Sequence, residues 1–357
     1  MEEFRPKAVS AGKILEDRYN IPLVIVYHPK YLEHVQDRYH PESPQRLEAI
    51  VQKLQDSGLM AGYLTPEQAS KEDLYLVHTE EYVDFVQHSG EGIIDYDTTL
   101  HTGTYDIAVL SVGGGLLAAH KTMEERKPYF ALIRPPGHHA GPGNGGGFCY
   151  FNNIAIAAMN LLKSIDRVAI LDYDGHHGNG TSDIFQRSKS VVYMSTHQWG
   201  IYPGTGRAEY VGEGDGEGHI VNVPFPGGCG DSSYDAAFEE LFHPILREFK
   251  PKAILISFGG DSHYKDPLTS LSLSSPGYLK LMKKSLNVAR EMCGGRFAVF
   301  LEGGYHLQAL AEVVAGIIAS FENREIEMEF TEILDSSVRG RDAVEKAKEE
   351  HSRYWKL

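Results

Sequence analysis

The stretch Leu171-Asp172-Tyr173-Asp174-Gly175-His176-His177-Gly178-Asn179-Gly180-Thr181 decides the predicted fold. It begins at the end of an apolar, partly β-branched run, 167–171, which predicts a buried strand. An acidic and imidazole-rich turn follows, then glycines, and a helix can begin at Thr181. Side chains two residues apart in an extended segment point the same way, so Asp174 and His176 can converge beyond the strand end. Together they could form half of a divalent-metal site.

Strand-like and helix-like segments alternate on both sides of this stretch. Apolar strand candidates occur at 23–28, 129–134, 167–173, 191–196, 219–224, 253–258 and 296–301. Helical patterns occur at 80–88, 105–125, 154–165, 181–187, 233–249, 275–292 and 306–321, and another begins at a Ser43 cap with Pro44 in its first turn and ends at Gly58. The alternation predicts an α/β fold, a parallel sheet with helices on both faces.

The whole chain, 1–357, is predicted to form one domain, because it contains neither an internal repeat nor an interdomain linker. Residues 1–20 are polar and expected to be peripheral, and 322–357 is expected to be a charged helical tail packed on the domain. Within 105–125, the run Gly113-Gly114-Gly115 weakens a helix and suggests close packing or a kink.

Composition narrows the possible partners and location. The chain is 42% hydrophobic and 23% charged, and it has neither a bilayer-length apolar run nor a signal-peptide core. Three cysteines, odd in number and far apart, fit a reducing compartment, so a cytoplasmic location is expected. The net charge of −15 disfavours nucleic acid. It is compatible with cationic substrates, although solubility alone could explain it.

Polar residues framed by glycines follow four of the strand candidates. In open parallel sheets, ligands bind beyond the carboxyl ends of the strands. Asp261 follows the strand at 253–258 and is the best candidate for a third metal ligand beside Asp174 and His176. Two carboxylates and one imidazole suit catalytic zinc, and also iron(II) or manganese. The alternative for an isolated Asp-x-His pair is a hydrogen-bonded turn without a metal.

Further residues at these strand ends suggest acid–base chemistry. One of the adjacent histidines His138 and His139 could accept a proton from water, and the other could be held by a carboxylate; surface turn residues or a two-histidine metal pair are the alternatives. The phenol of Tyr305 could donate to a developing oxyanion, although such a tyrosine is often structural. The glycine-rich run 143–149 predicts a wall beside substrate, with Phe148 lining a channel and Cys149 as a small buried residue.

Five motifs together resemble the zinc-dependent histone deacetylase superfamily, which includes acetoin-utilisation proteins and acetylpolyamine amidohydrolases. The motifs are Arg134-Pro-Pro-Gly-His-His139, Asp172-x-Asp-x-His-His-Gly-Asn-Gly-Thr181, Tyr202-Pro-Gly-Thr-Gly206, Gly260-Asp261-x-His263 with Asp266-Pro267-Leu268, and Glu302-Gly-Gly-Tyr305. Asn179 and the Glu302 motif resemble the class II-like and prokaryotic branch. The resemblance implies the arginase–deacetylase fold, a three-layer domain around an eight-stranded parallel sheet.

The resemblance also implies a role for each matched residue. The implied metal ligands are Asp174, His176 and Asp261. The implied catalytic residues are His139 as general base, His138 as its partner backed by Asp172, Asn179 behind His139, and Tyr305 on the acetyl carbonyl. The implied substrate-binding residues are Asp97 at the rim and Gly147, Phe148, Tyr202 and Gly304. A structural potassium ion is implied at Asp172, Asp174, His176, Ser195 and Thr196.

The implied activity is removal of acetyl groups from N-acetylated amines by attack of a zinc-bound water, with iron as a possible replacement for zinc. The entry motif from His40 to Leu47 and the apolar Leu268 favour acetyl-lysine of proteins. A small acetylated amine such as an acetylpolyamine is the alternative, followed by a non-catalytic acyl-lysine-binding module. Arginase chemistry would need further Asp and His ligands that the sequence does not offer. A membrane is not expected as a partner, and an oligomer is possible.

Overall fold

A computed structural model of the chain describes residues 24–36, 39–60, 62–335 and 337–357; the predicted peripheral segment 1–20 lies outside them. The central sheet consists of strands β1 (Val24–Val26), β4 (Pro128–Ala131), β5 (Val168–Asp172), β6 (Val191–Gln198), β7 (Ile220–Phe225), β8 (Ala253–Phe258) and β9 (Phe297–Leu301). All neighbouring pairs are parallel, in the order β1-β4-β9-β8-β5-β6-β7.

The sheet confirms the predicted α/β class, and each of its strands overlaps one of the seven apolar runs. The eight-stranded sheet implied by the resemblance is wrong within the described residues, where the sheet has seven strands. A separate antiparallel hairpin, β2 (Gly92–Asp95) and β3 (Thr98–Leu100), was not predicted. Its strands are only 4 and 3 residues long, too short for a clear alternating pattern.

The helices agree with the predicted patterns to within a few residues at most ends, except that the short helix Lys71–Leu74 was not predicted. They are α1 (Pro44–Asp56), α2 (Lys71–Leu74), α3 (Glu80–His88), α4 (Thr104–Glu125), α5 (Asn153–Leu161), α6 (Asn179–Phe185), α7 (Asp231–Ala237), α8 (His243–Phe249), α9 (Ser275–Cys293), α10 (Leu307–Phe321) and α11 (Ser337–His351). A π-helical turn, Phe238–Phe242, joins α7 to α8 within the predicted helix 233–249. Ser43 occupies the N-cap position of α1, but its side chain makes no capping hydrogen bond.

Helices cover both faces of the sheet, as two side chains of β9 that point to opposite faces show. Phe300 packs towards α4, where a Cβ on Gly115 would lie 2.7 Å from its ring. Phe297 points to the opposite face and contacts Phe321 of α10, with ring centroids 6.0 Å apart. In the C-terminal tail, α11 packs against α7 and β7. No helix of the described residues combines the length and apolarity that crossing a bilayer requires.

The sheet order explains why the polar strand ends meet. The four strands whose ends carry the predicted functional residues are β4, β9, β8 and β5, and they are consecutive in the sheet. Their carboxyl ends are aligned, since Asp172 pairs with Ser257 and Phe258 pairs with Leu301. Residues 134–139, 172–181, 259–263 and 302–305 therefore leave the sheet at one edge.

The glycines of α4 allow close packing. A Cβ on Gly113 would lie 1.8 Å from the carbonyl oxygen of Glu67, and one on Gly114 would lie 2.5 Å from the Tyr31 hydroxyl. Both distances are far below van der Waals contact, so the run serves the close approach of neighbouring chain segments. This agrees with the packing that the sequence suggested.

We expect Gly113→Ala to destabilise the protein, although alanine favours a helix by about 1 kcal/mol over glycine. The methyl group would displace the backbone near Glu67, and such overpacking typically costs about 1–3 kcal/mol. Urea denaturation should show a net loss in the free energy of unfolding. Gly62→Ala is the control, because a Cβ there meets no atom within 4 Å. Equal stability of the two variants would contradict this account of the helix.

Candidate active site

Asp174, His176 and Asp261 lie together at the carboxyl ends of the strands, although Asp174 and Asp261 are 87 residues apart in the sequence. The ligand atoms of Asp174, His176 and Asp261 all lie within 4.8 Å of one another. His176 Nδ1 is 2.8 Å from Asp261 Oδ2 and 3.3 Å from Asp174 Oδ1. The structure thus brings the three predicted metal ligands to one point.

Backbone N–H groups from the neighbouring loops hold the two carboxylates. Asp174 accepts hydrogen bonds from the N–H of His176 and of Gly303, both at 2.9 Å, and Asp261 accepts one from Gly175 at 2.7 Å. A Cβ on Gly259 would lie 2.1 Å from Asp174 Oδ2. Glycine is therefore required where these loops pass the carboxylates, which explains why glycines frame the strand ends.

The buried carboxylates strongly influence each other and the histidine between them. Burial and the charge of Asp174 raise the pKa of Asp261 to about 6, although His176 opposes the shift. Burial would also raise the pKa of Asp174, but the nearby His138 and His176 lower it overall. Burial disfavours protonation of His176, yet the two carboxylates raise its pKa to about 10. The cluster has an electrostatic preference for a cation.

The donor set fits a divalent metal ion. Two carboxylates and one imidazole are three protein ligands of the types that bind catalytic zinc, and they leave coordination positions for water or substrate. A second group within the described residues, His138, Cys149 and Glu302, fits less well. Glu302 already accepts hydrogen bonds from the backbone N–H of Gly137 and His138. Burial also raises the pKa of the Cys149 thiol, so a thiolate is disfavoured.

The adjacent histidines have different partners and opposite protonation preferences. His138 Nδ1 donates to Asp172 Oδ2 at 3.1 Å, whereas His139 Nδ1 lies 2.8 Å from the amide oxygen of Asn179. Burial lowers the pKa of His138, but the charges of Asp174 and Asp172 outweigh it and raise that pKa to about 10. Burial, His138 and His176 together hold the pKa of His139 well below its usual value.

The hydrogen bond to Asn179 also assigns the tautomer of His139. An amide oxygen can only accept, so the proton of neutral His139 is on Nδ1 and Nε2 has a free lone pair. The two rings are 4.0 Å apart between centroids, and His139 lies 6.2 Å from the ring of His176. An imidazole with a lowered pKa and one with a raised pKa therefore stand side by side next to the metal-ligand cluster.

Tyr305 is held by residues that the sequence analysis did not single out for this role. Its backbone N–H donates to Asp266 Oδ2 at 2.7 Å, and the Arg46 guanidinium lies 5.1 Å from its ring centroid. Arg46 also donates to the carbonyl oxygen of Gly304 at 2.7 Å. Burial raises the pKa of the Tyr305 phenol, with Arg46 opposing, so the phenol retains its proton.

A buried ion cluster lies behind Arg46. Glu42 Oε1 accepts from Arg134 at 2.5 Å and from Arg46 at 3.3 Å. All three side chains are fully buried. Burial favours the neutral carboxyl, but the two guanidinium groups lower the pKa of Glu42 overall. The sequence analysis quoted Arg134 only as the first residue of a motif and covered Glu42 and Arg46 only within the entry motif from His40 to Leu47, so it did not predict this cluster.

A cavity of about 370 Å³ leads from the surface to these groups. Of the predicted substrate-binding residues, Asp97, Gly147, Phe148 and Tyr202 line it, together with His139, His176 and Tyr305. Gly304 is not among the described lining residues, and its carbonyl is bound to Arg46 instead. His40 and Leu268 also line the cavity, although neither was predicted as a substrate-binding residue.

Three of the predicted potassium ligands, Asp172, Ser195 and Thr196, lie on the neighbouring strands β5 and β6, and the other two, Asp174 and His176, lie in the loop after β5. Asp172 of β5 pairs in register with Ser195 of β6, and Thr196 follows it. Ser195 Oγ is 2.8 Å from His197 Nδ1, and the Thr196 hydroxyl has no hydrogen-bond partner among the described residues. This potassium site stays a prediction.

Comparisons with known proteins agree with this architecture. Residues 40–321 match the histone deacetylase domain family. A probable deacetylase from Archaeoglobus fulgidus is 44% identical, and the match covers 93% of this chain and 98% of that protein. "Histone deacetylase 14, chloroplastic" from Arabidopsis thaliana is 37% identical, and the match covers 87% of this chain and 81% of that protein. The crystal structure of the HDA15 HD domain superimposes with a TM-score of 0.83 at 34% identity, covering 93% of this chain and 96% of that one. The chain belongs to the histone deacetylase family, and this membership supports deacetylase activity.

Proposed function

We propose that this protein is a zinc-dependent deacetylase that hydrolyses N-acetylated amines, with acetyl-lysine of proteins as the favoured substrate. One observation carries the proposal. His176 of the Asp174–His176–Asp261 cluster, the imidazole of His139 and the phenol of Tyr305 line one cavity, and the two carboxylates of the cluster lie directly behind His176. Amide hydrolysis needs an electrophile activator, a base and an oxyanion donor, and these groups match those needs.

Asp174, His176 and Asp261 would hold the zinc ion, and iron(II) is an alternative for the same ligand set. When bound, the metal polarises the substrate carbonyl and lowers the pKa of coordinated water to about 7. The cation preference of the buried carboxylates supports this assignment.

The protein's own groups would handle the protons. His139 Nε2 accepts the proton of the attacking water, because its pKa is held low and Asn179 fixes the ring with this nitrogen free. Tyr305 donates a hydrogen bond to the carbonyl oxygen as negative charge develops there. When the C–N bond breaks, a histidine returns a proton to the leaving amine, and acetate and the free amine are released. His138, protonated through Asp172 and Asp174, supplies positive charge beside the reacting atoms.

The cavity walls support an acyl-lysine substrate. Phe148 and Tyr202 present aromatic surfaces that suit the apolar stem of a lysine side chain. Asp97 lines the same cavity, and we propose that it is the rim residue that holds a peptide backbone. The apolar Leu268 at the same cavity disfavours a site specialised for a polycation, so an acetylpolyamine is the second candidate. We also propose a cytoplasmic location, which the three free cysteines support.

The direct test is release of acetate from an acetyl-lysine peptide and from an acetylated polyamine. We expect turnover of the peptide by zinc-loaded protein, loss of turnover after chelation, and recovery when zinc is restored. Asp261→Asn should remove both zinc binding and turnover. Asp183→Asn is the matched control, since Asp183 is an exposed carboxylate outside the cluster. Turnover that survives complete chelation would contradict the metal-dependent mechanism.

Tyr305→Phe should reduce kcat by about 10²–10³-fold, which is the usual effect of losing one oxyanion donor. Zinc content should not change, because the phenol is not among the three ligands. The measurements are kcat on the acetyl-lysine peptide and elemental analysis of the purified protein. Tyr63→Phe is the control, because Tyr63 lies partly exposed away from the cavity. Full activity of the Tyr305 variant would remove this residue from the mechanism.

Asn179→Asp should move the acid limb of kcat/KM to higher pH. The general base must be unprotonated, and in the native protein its pKa lies well below 6.5, so activity should persist below that pH. A carboxylate beside His139 Nδ1 stabilises the protonated ring and should therefore raise the pKa of His139. Asn323→Asp adds the same charge at an exposed site and should leave the profile unchanged. An unshifted limb in Asn179→Asp would exclude His139 as the titrating base.

A further inference from the structure

The cavity wall that carries Phe148 has an unusual backbone. Gly146, Gly147 and Phe148 have φ angles of +150°, +53° and +71° in succession. Glycine adopts positive φ readily, but Phe148 does so at a cost in strain. A Cβ on Gly147 would lie 2.5 Å from the ring of His139, so the turn presses against the reacting groups. Such a turn persists only if its surroundings hold it.

Two side chains of the β2–β3 hairpin hold this turn. Asp95 Oδ2 accepts the N–H of Gly147 at 3.2 Å, and Thr98 Oγ1 accepts the N–H of Phe148 at 2.9 Å. The ends of the turn are closed by Gly146 and Cys149, which exchange two backbone hydrogen bonds of 3.0 Å. Both N–H groups that the strained turn directs away from its own backbone are thus satisfied by the hairpin.

The same two hairpin residues also form hydrogen bonds with Asp97, the predicted rim residue of the cavity. Thr98 Oγ1 donates to Asp97 Oδ1 at 3.2 Å, and the N–H of Asp97 donates to Asp95 Oδ1 at 3.2 Å. The Thr98 side chain is fully buried, so its hydroxyl uses one donor and one acceptor without competition from water. His40 completes the unit, since its ring lies 4.6 Å from that of Phe148 and its Nε2 lies 3.1 Å from the Asp97 carbonyl oxygen.

We propose that Asp95 and Thr98 are positioning residues of the deacetylase site, which couple the rim residue Asp97 to the Phe148 wall and hold both at the spacing that an acyl-lysine chain requires. The proposal rests on the proposed function and deepens it. Neither residue is among the described residues that line the cavity, so both act through the groups they bind. A wall that contacts only the substrate stem binds the ground state and the transition state about equally, so disturbing it should raise KM more than it lowers kcat.

The test compares variants that remove each acceptor with variants that keep it. Thr98→Val preserves the shape but removes the hydroxyl, and Thr98→Ser keeps it. Asp95→Ala removes the carboxylate, and Asp95→Asn keeps one carbonyl oxygen for the Gly147 N–H. The first readout is the rate of amide hydrogen exchange at Gly147 and Phe148. NMR monitors this exchange in the full chain loaded with zinc.

We expect exchange at Phe148 to accelerate at least tenfold in Thr98→Val, and exchange at Gly147 to accelerate similarly in Asp95→Ala. The acceptor-keeping variants should stay within about threefold of the native rates. KM for the acetyl-lysine peptide should rise about tenfold or more in the two disruptive variants, with a smaller change in kcat, since the chemistry is supplied by other residues. The ratio of kcat/KM for acetyl and butyryl peptides should also change, because the wall sets the width available to the acyl chain.

Ile93→Ala is the matched hairpin control, because Ile93 is 71% exposed and contributes neither bond. It should leave exchange, KM and acyl preference unchanged. Unchanged exchange at Gly147 and Phe148 in both disruptive variants would overturn the proposal, as would an equal change in Ile93→Ala. Because exchange needs no turnover, it tests the hairpin's role even if the protein failed to deacetylate any peptide, so the two failures are distinguishable.

Discussion

The close approach of two buried carboxylates, Asp174 and Asp261, is the constraint on which the site depends. Like charges at this separation are costly in a dry interior unless hydrogen bonds and positive charge offset them. Backbone N–H groups of Gly175, His176 and Gly303 donate to the pair, and His176 lies between the carboxylates. Three loops from three strands must therefore keep their relative positions for the cluster to exist.

The same negative charge determines the behaviour of the neighbouring histidines. Asp174 and Asp172 favour a protonated His138, whereas burial, followed by the positive charge on His138, disfavours protonation of His139. Asn179 can orient His139 without adding a charge that would reverse this preference. The two adjacent histidines therefore differ in pKa because only His138 is bound to a carboxylate, whereas His139 is bound to an amide oxygen.

Glu302 links this chemistry to the supporting structure. Its carboxylate accepts the backbone N–H groups of Gly137 and His138, which holds the histidine loop, and its carbonyl accepts Arg46, which packs on Tyr305. Burial raises the pKa of Glu302 to about 7, with His138 opposing the shift. The loops after β4 and β9 are therefore tied together through one residue of the Glu302-Gly-Gly-Tyr305 motif, so a motif recognised for Tyr305 also contains its structural support.

The sequence by itself determined the α/β class, seven strand positions and the residues at the strand ends, because apolar periodicity and glycine-framed polar turns are local properties. The eight-stranded sheet that the resemblance implied was wrong, since the described sheet has seven strands. The π-helical turn 238–242 and the short β2–β3 hairpin were not predicted. Only the tertiary structure decided that β4, β9, β8 and β5 are adjacent, and so that Asp174 and Asp261 meet. It also decided which buried partners support the site, such as Arg46, Asp95 and Thr98. Their partners lie about 50 to 260 residues away in the chain, and no local pattern encodes such contacts.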